Sequence, residues 1–139
     1  METPEHSTDV ELRLALQRLA RDIRRNRGAR LSDSQLAVMF HLAHGECFPS
    51  ELADWENVAP PSINRTLNGL ETAGLVERRP ADGDGRRVRV RLTEAGSAAI
   101  AETRRLRDEW FSQRLASLSP DERLSLTAVV PLLRRLADE

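Results

Sequence analysis

The sequence predicts a mainly α domain carrying one small β-hairpin, and three observations predict it. Apolar residues recur at helical steps along most of the 139 residues. The run Val88-Arg89-Val90-Arg91-Leu92 alternates with period two, as a half-buried strand does. Serine, threonine, glycine and proline stand where caps and breakers belong.

Taken in chain order, Leu12, Leu16, Leu19 and Ile23 fall at steps of four, three and four, one face of a helix over residues 10–25. Thr8 or Asp9 is its expected cap, and Gly28 follows its end. Ser32 is a natural N-cap for a second helix, whose stripe Leu36, Met39, Phe40 and Ala43 stops at Gly45. Residues 46–48 leave room for a strand stub only. Pro49 and Ser50 open a brief third helix through Leu52, Ala53 and Trp55. Pro60 then suits the first turn of a fourth helix, because the N–H it lacks would be unpaired there anyway. That helix carries Ile63, Leu67 and Leu70 inward and ends at Gly74. Residues 75–79 and 87–92 read as strands joined by a turn over 80–85, where Gly83 and Gly85 permit tight backbone angles. Thr93 caps a long helix over residues 94–118, although Gly96 three residues later leaves its capping box incomplete. Its apolar positions are Leu106, Trp110, Phe111, Leu115 and Leu118. Ser119-Pro120-Asp121-Glu122 restarts the chain with a cap, a first-turn proline and early acids. The last helix carries Leu126, Val129, Val130, Leu133 and Leu136, and Pro131 should bend it or disturb its hydrogen bonds.

A chain that is 40% hydrophobic and 139 residues long makes one compact domain, or a small domain with helices that need a second chain to cover them. Its net charge of −1 excludes a uniformly basic coat for nucleic acid. Distribution carries more information. Residues 13–30 hold seven arginines against one acid, residues 31–59 hold five acids and no arginine, and residues 60–91 hold seven arginines against four acids. No lysine is present, so the strong cations are all arginine. The first residues are polar and acidic, unlike a secretory signal, and no apolar run approaches the ~20 residues of a membrane span. A cytoplasmic protein is expected. Cys47 is the only cysteine, which excludes an internal disulfide and leaves little for a cysteine-based metal site.

Two short helices, an amphipathic helix and a basic hairpin, in that order, form a winged helix-turn-helix. Such an arrangement suits DNA, because an α-helix fits the major groove while the hairpin reaches phosphates or the minor groove. On the helix after Pro60 the exposed positions are Ser62, Asn64, Arg65 and Asn68, with Pro61 able to touch a thymine methyl. Arginine reads guanine and asparagine reads adenine bidentately. Arg86 and Arg87 are placed at the hairpin tip, within reach of DNA. Ser32 and Ser50 serve equally well as caps or as phosphate contacts, and Arg27 or Arg30 could touch phosphates. His41 and His44, three apart, could hold a metal on one helix face, but nothing completes the ligand set. A partly buried pair is expected instead, with no cofactor.

The segment LADWENVAPPSINRTLNGLETAGLVERRPADGDGRRVRVRLTEAG resembles the MarR family of bacterial transcription regulators, and the likeness extends over nearly the whole chain. Its specific pieces are Leu70-Glu71-x-x-Gly74-Leu75-Val76, Asp84-Gly85-Arg86 at the hairpin tip, and Leu92-Thr93-x-x-Gly96 leading into a long helix. The resemblance implies a winged helix-turn-helix DNA-binding domain over residues 31–93 and dimerisation helices over 1–30 and 94–139. It implies a wing in which Arg86 contacts double-stranded DNA and Asp84 orients it. It also implies a homodimer that reads a pseudo-palindromic operator and responds, usually as a repressor, to a small aromatic or phenolic ligand. Family members that sense peroxide keep a cysteine near the first helix, where this chain has none. The competing reading is a winged-helix module that binds protein, its wing arginines meeting acidic partners. An enzyme is not expected, since the chain lacks a glycine-rich phosphate loop, a serine–histidine–aspartate arrangement and paired metal ligands.

Overall fold

Helix α1, Pro4–Arg25, begins earlier than its apolar stripe, because Pro4 fits a first turn and the polar residues after it cost an exposed helix only tenths of a kcal/mol each. Thr8 and Asp9 therefore lie inside the helix and do not cap it. The computed structural model describes residues 4–28, 30–81 and 83–138, and their side chains except at 4–6 and 84–86. After α1 come α2 (Asp33–Leu42), α3 (Pro49–Glu56), α4 (Pro60–Thr72), β1 (Val76–Ala81), β2 (Asp84–Leu92), α5 (Glu94–Leu115), α6 (Pro120–Ala128) and α7 (Val130–Asp138).

The caps explain where these helices start. Ser32 accepts from the Gln35 backbone N–H while the Gln35 side chain accepts from the Ser32 N–H, closing a capping box on α2. Ser119 and Glu122 do the same on α6. At α3 the cap is Phe48, with Pro49 in the first turn and no side-chain cap bond, so Ser50 sits inside the helix.

The core lies among the middle elements. Leu36, Val38, Met39 and Leu42 of α2 pack with Leu52 and Ala53 of α3, Ile63, Leu67 and Leu70 of α4, Val76, Val90 and Ile100, all buried. Each large side chain so buried contributes about 1.5–3 kcal/mol. The stripe that the sequence assigns to α4 is the buried one, which turns its opposite face outward.

Strands β1 and β2 pair antiparallel from Val76↔Leu92 to Pro80↔Val88, with an irregularity before Ala81↔Asp84. The hairpin is longer than the expected turn over 80–85 allows. Pro80 is tolerated because both strands of a two-stranded sheet are edges, and its missing N–H leaves no partner orphaned. Gly83, at φ +85°, makes the turn, whereas Gly85 lies within β2. Cys47 adds the expected strand stub, exchanging two backbone hydrogen bonds with Val90.

Thr93 fastens the winged region to α5. Its hydroxyl donates to the Gly74 carbonyl at 2.6 Å and accepts from the Gly96 N–H, while its own N–H donates to the Leu75 carbonyl. A Cβ on Gly96 would stand 2.0 Å from the Leu75 oxygen, so only glycine lets the start of α5 approach this closely. The expected last helix is two helices. Val129 ends α6 and Pro131 falls in the first turn of α7, where a proline costs least.

Candidate nucleic-acid interface

Burying Ile63, Leu67 and Leu70 leaves Pro61, Ser62, Asn64, Arg65 and Asn68 exposed on the outward side of α4. Prolines at its first two positions supply no N–H, and the Ser62 and Ile63 N–H groups both reach the Ala59 carbonyl. This end is consequently satisfied and largely apolar. It can approach base edges without stranding a donor, although it lacks the free amides that grip a phosphate at other helix starts.

The wing stands beside this face. Arg87 is the fourth residue of β2 and not part of the tip, and its guanidinium lies 3.8 Å above the Phe48 ring. Arg89 flanks the same ring at 5.1 Å. The strand stub makes the arrangement: Cys47 opposite Val90 sets Phe48 beside Arg89, and Arg87 is two residues further along the same face. The aromatic face draws both cations electrostatically and so gives Arg87 a preferred resting place. Asp84 and Arg86 belong to the backbone of β2, but their side chains lie outside the described residues.

Phe48, Pro49, Ser50, Asn64, Arg78, Arg87 and Val88 line an open cleft of about 350 Å³ where α3, α4 and the wing meet. Ser50 and Asn64 thus share one site with Arg87. Sequence reasoning missed Phe48 and Arg78. Arg78 Nη1 donates to Asn68 Oδ1 at 2.9 Å and approaches Glu71 Oε1 at 3.4 Å. The signal for Phe48 was available in the stub at 46–48, whose pairing partner was the missing piece.

Other expected sites have different neighbours. Arg27 is ion-paired with Asp33, which ties down its charge, while Arg30 is exposed. His41 is half-buried and stacks on Trp55 at 4.4 Å, whereas His44 is exposed, so the two are not a buried pair. Glu77 sits between Arg91 and Arg79, and the hydrogen bond from Arg91 is the main reason its carboxyl is held below the ordinary range. Cys47 is buried, and that burial, with the charge of Glu51, pushes its thiol up to about 11. Among the described residues no helix is long and apolar enough to cross a membrane.

The geometry agrees with the comparisons. Residues 31–87 match the MarR family model. An HTH-type transcriptional regulator of Mycobacterium bovis is 40% identical over 131 residues, which cover 93% of this chain and 92% of that one. The chain belongs to the MarR family. Its MarR-type winged helix is a DNA-binding one, and the matched residues run from Leu31 through α4 to Arg87. A solved transcriptional regulator from Pseudomonas aeruginosa superposes with a TM-score of 0.86 at 31% identity, covering 99% of both chains. A Staphylococcus aureus MepR mutant solved with an oligodeoxyribonucleotide has the same fold, at TM-score 0.72, 19% identity and coverage of 94% and 96%.

Proposed function

We propose that this MarR-family regulator acts as a homodimeric, ligand-responsive repressor on a pseudo-palindromic operator, with α4 in the major groove and the wing on the flanking backbone. The observation that carries the DNA half is the exposed row Pro61, Ser62, Asn64, Arg65 and Asn68 beside the Phe48-seated Arg87. Arg65 and the asparagines supply base-reading groups; Arg86 and Arg87 of the wing supply backbone contact, with Asp84 orienting Arg86. A MepR mutant that shares this fold was solved with an oligodeoxyribonucleotide, so the fold is compatible with binding DNA.

Dimerisation is supported by what the protomer leaves uncovered. No described residue of α6 or α7 is buried, and Leu124, Leu126, Val130, Leu132, Leu133 and Leu136 are exposed. On α1, Val10, Leu12, Leu14, Leu16 and Leu19 are exposed too. Leu12, Leu16 and Leu136 share a groove, so the two ends of the chain form one apolar region. A second copy would cover it, making residues 1–30 and 94–139 the dimerisation helices around a reading domain at 31–93. Two reading helices would then meet half-sites about one DNA turn apart.

For the ligand, a cleft of about 430 Å³ between α2, β2 and α5 is lined by Leu42, Leu92 and Ile100 together with Arg91 and Arg104. His44, Glu46 and Ser97 share that lining, and Arg91 is already paired with Glu46 and Glu77, so the cleft offers mixed apolar and polar walls to a small aromatic or phenolic ligand. Enrichment of DNA from a random pool by the purified protein tests the whole reading. A two-fold symmetric sequence, bound with a steep salt dependence and released by a small aromatic or phenolic compound, is the expected result. Failure to enrich any sequence at low salt would overturn it.

A further inference from the structure

Arg78 and Asn68 meet at the edge of the α4 face, and their chemistry permits one arrangement. A guanidinium has donors and no acceptor, so the Asn68 amide must turn its oxygen toward Arg78. The torsion that exchanges Oδ1 and Nδ2 is broad and two-fold when nothing biases it. Here it is biased. Arg78 is itself held, its side chain only 22% exposed and its Nη1 shared with Glu71. Nδ2, with two donors, is then the group that Asn68 turns away from Arg78, while one lone pair of Oδ1 is already engaged. Asn68 is exposed and follows Asn64 by one helical turn, on the same side of α4.

We propose that Arg78 is a positioning residue for sequence reading: it fixes the Asn68 amide with its donors outward, so that this position selects a base edge rich in acceptors. Guanine, with N7 and O6 in the major groove, is such an edge; adenine offers one acceptor and one donor. A freely turning asparagine would instead favour the bidentate pair with adenine. The inference rests on α4 being the base-reading helix, and it adds a residue from β1 that touches no base.

The test compares sequences enriched from a random DNA pool by the wild-type chain and by Arg78→Met, Arg78→Lys, Asn68→Ala and the Arg78→Met, Asn68→Ala double variant, each checked for folding by circular dichroism. Arg78→Met keeps the stem and removes the donors. It should shift preference from guanine toward adenine at one position per half-site, by about 2- to 12-fold, the worth of one hydrogen bond. Asn68→Ala should lose preference at that same position, the double variant should add nothing further, and Arg78→Lys should keep the wild-type preference. If Arg78→Met weakens all sequences evenly, lowers the salt slope by about one and adds to Asn68→Ala, Arg78 is a phosphate contact and the inference is wrong. An unchanged preference would also overturn it. Should Arg78→Met unfold, Asn68→Asp decides. Lacking donors but keeping the Arg78 pair, it should move that position to cytosine, whose N4 donates, and no movement would refute the idea. A wild-type chain that enriches nothing removes the reading of α4 itself, which is a separate failure.

Discussion

Gly96 is where a single atom matters most. In the sequence it looks like the defect in a capping box, a position where glutamate or glutamine would have been better. The structure gives it a packing reason: the Leu75 carbonyl occupies the space of its absent side chain. Gly96→Ala should therefore lower stability by about 1–3 kcal/mol through forced movement of backbone, read as a lower denaturant midpoint with an unchanged slope. A variant as stable as the wild type would show that the turn at Leu75 yields freely. Cys47 permits a second test at this scale, because the chain has no lysine and no tyrosine to titrate alongside it. An unfolded thiol ionises near pH ~8.5, whereas the folded one is pushed up to about 11. Rising pH strips the proton from the unfolded chain first, so stability is complete below the unfolded value and falls as pH climbs through the folded one. The denaturant midpoint should drop across that window in the wild type and much less in Cys47→Ala. Labelling at pH ~8 should be about 10²-fold slower in the folded chain than in the unfolded one. Equal rates would mean that the thiol is neither buried nor held protonated.

Among elements, the helices were legible because their stripes and caps are local. Ser32, Pro60, Thr93 and Ser119 each stand where the sequence places a start, and Ile63, Leu67 and Leu70 form the buried side of α4 as their spacing requires. What escaped was non-local. The polar start of α1 carries no stripe to announce it, and the length of the wing depends on pairings such as Pro80 with Val88 that no single strand encodes. From sequence alone Arg87 falls at the tip for the same reason: its true neighbour, Phe48, arrives from another element through the stub at Cys47. Phe48→Leu should keep the apolar volume and remove the aromatic face. An exposed cation–π contact contributes about 0.5–1 kcal/mol, so DNA affinity should fall about 2- to 5-fold on every sequence alike. A change in which sequence is preferred, measured with the same DNA pool, would instead make Phe48 part of the reading face.

For the molecule as a whole, the uncovered leucines set the hardest question, since a partner's surface is written nowhere in one chain's periodicity. Among the described residues the buried core, from Leu31 to Ile100, involves neither α1 nor α6 nor α7. Charges introduced on the terminal helices should therefore separate the copies without dissolving the winged domain. Leu16 and Leu133 are 38% exposed each, partly packed within the protomer yet open enough to meet a second one. The pair Leu16→Glu and Leu133→Glu would set carboxylates in an apolar interface, where an unpaired charge costs several kcal/mol. Sedimentation should then report a single chain, with the cooperative unfolding of the winged core retained. DNA affinity should fall by about 10²–10⁴-fold, because the second half-site is no longer tethered to the first, while binding to an isolated half-site should stay near its wild-type value. A double variant that sediments as the wild type would place the interface elsewhere. One that becomes a single chain yet grips the full operator unchanged would show that the two reading helices never acted together.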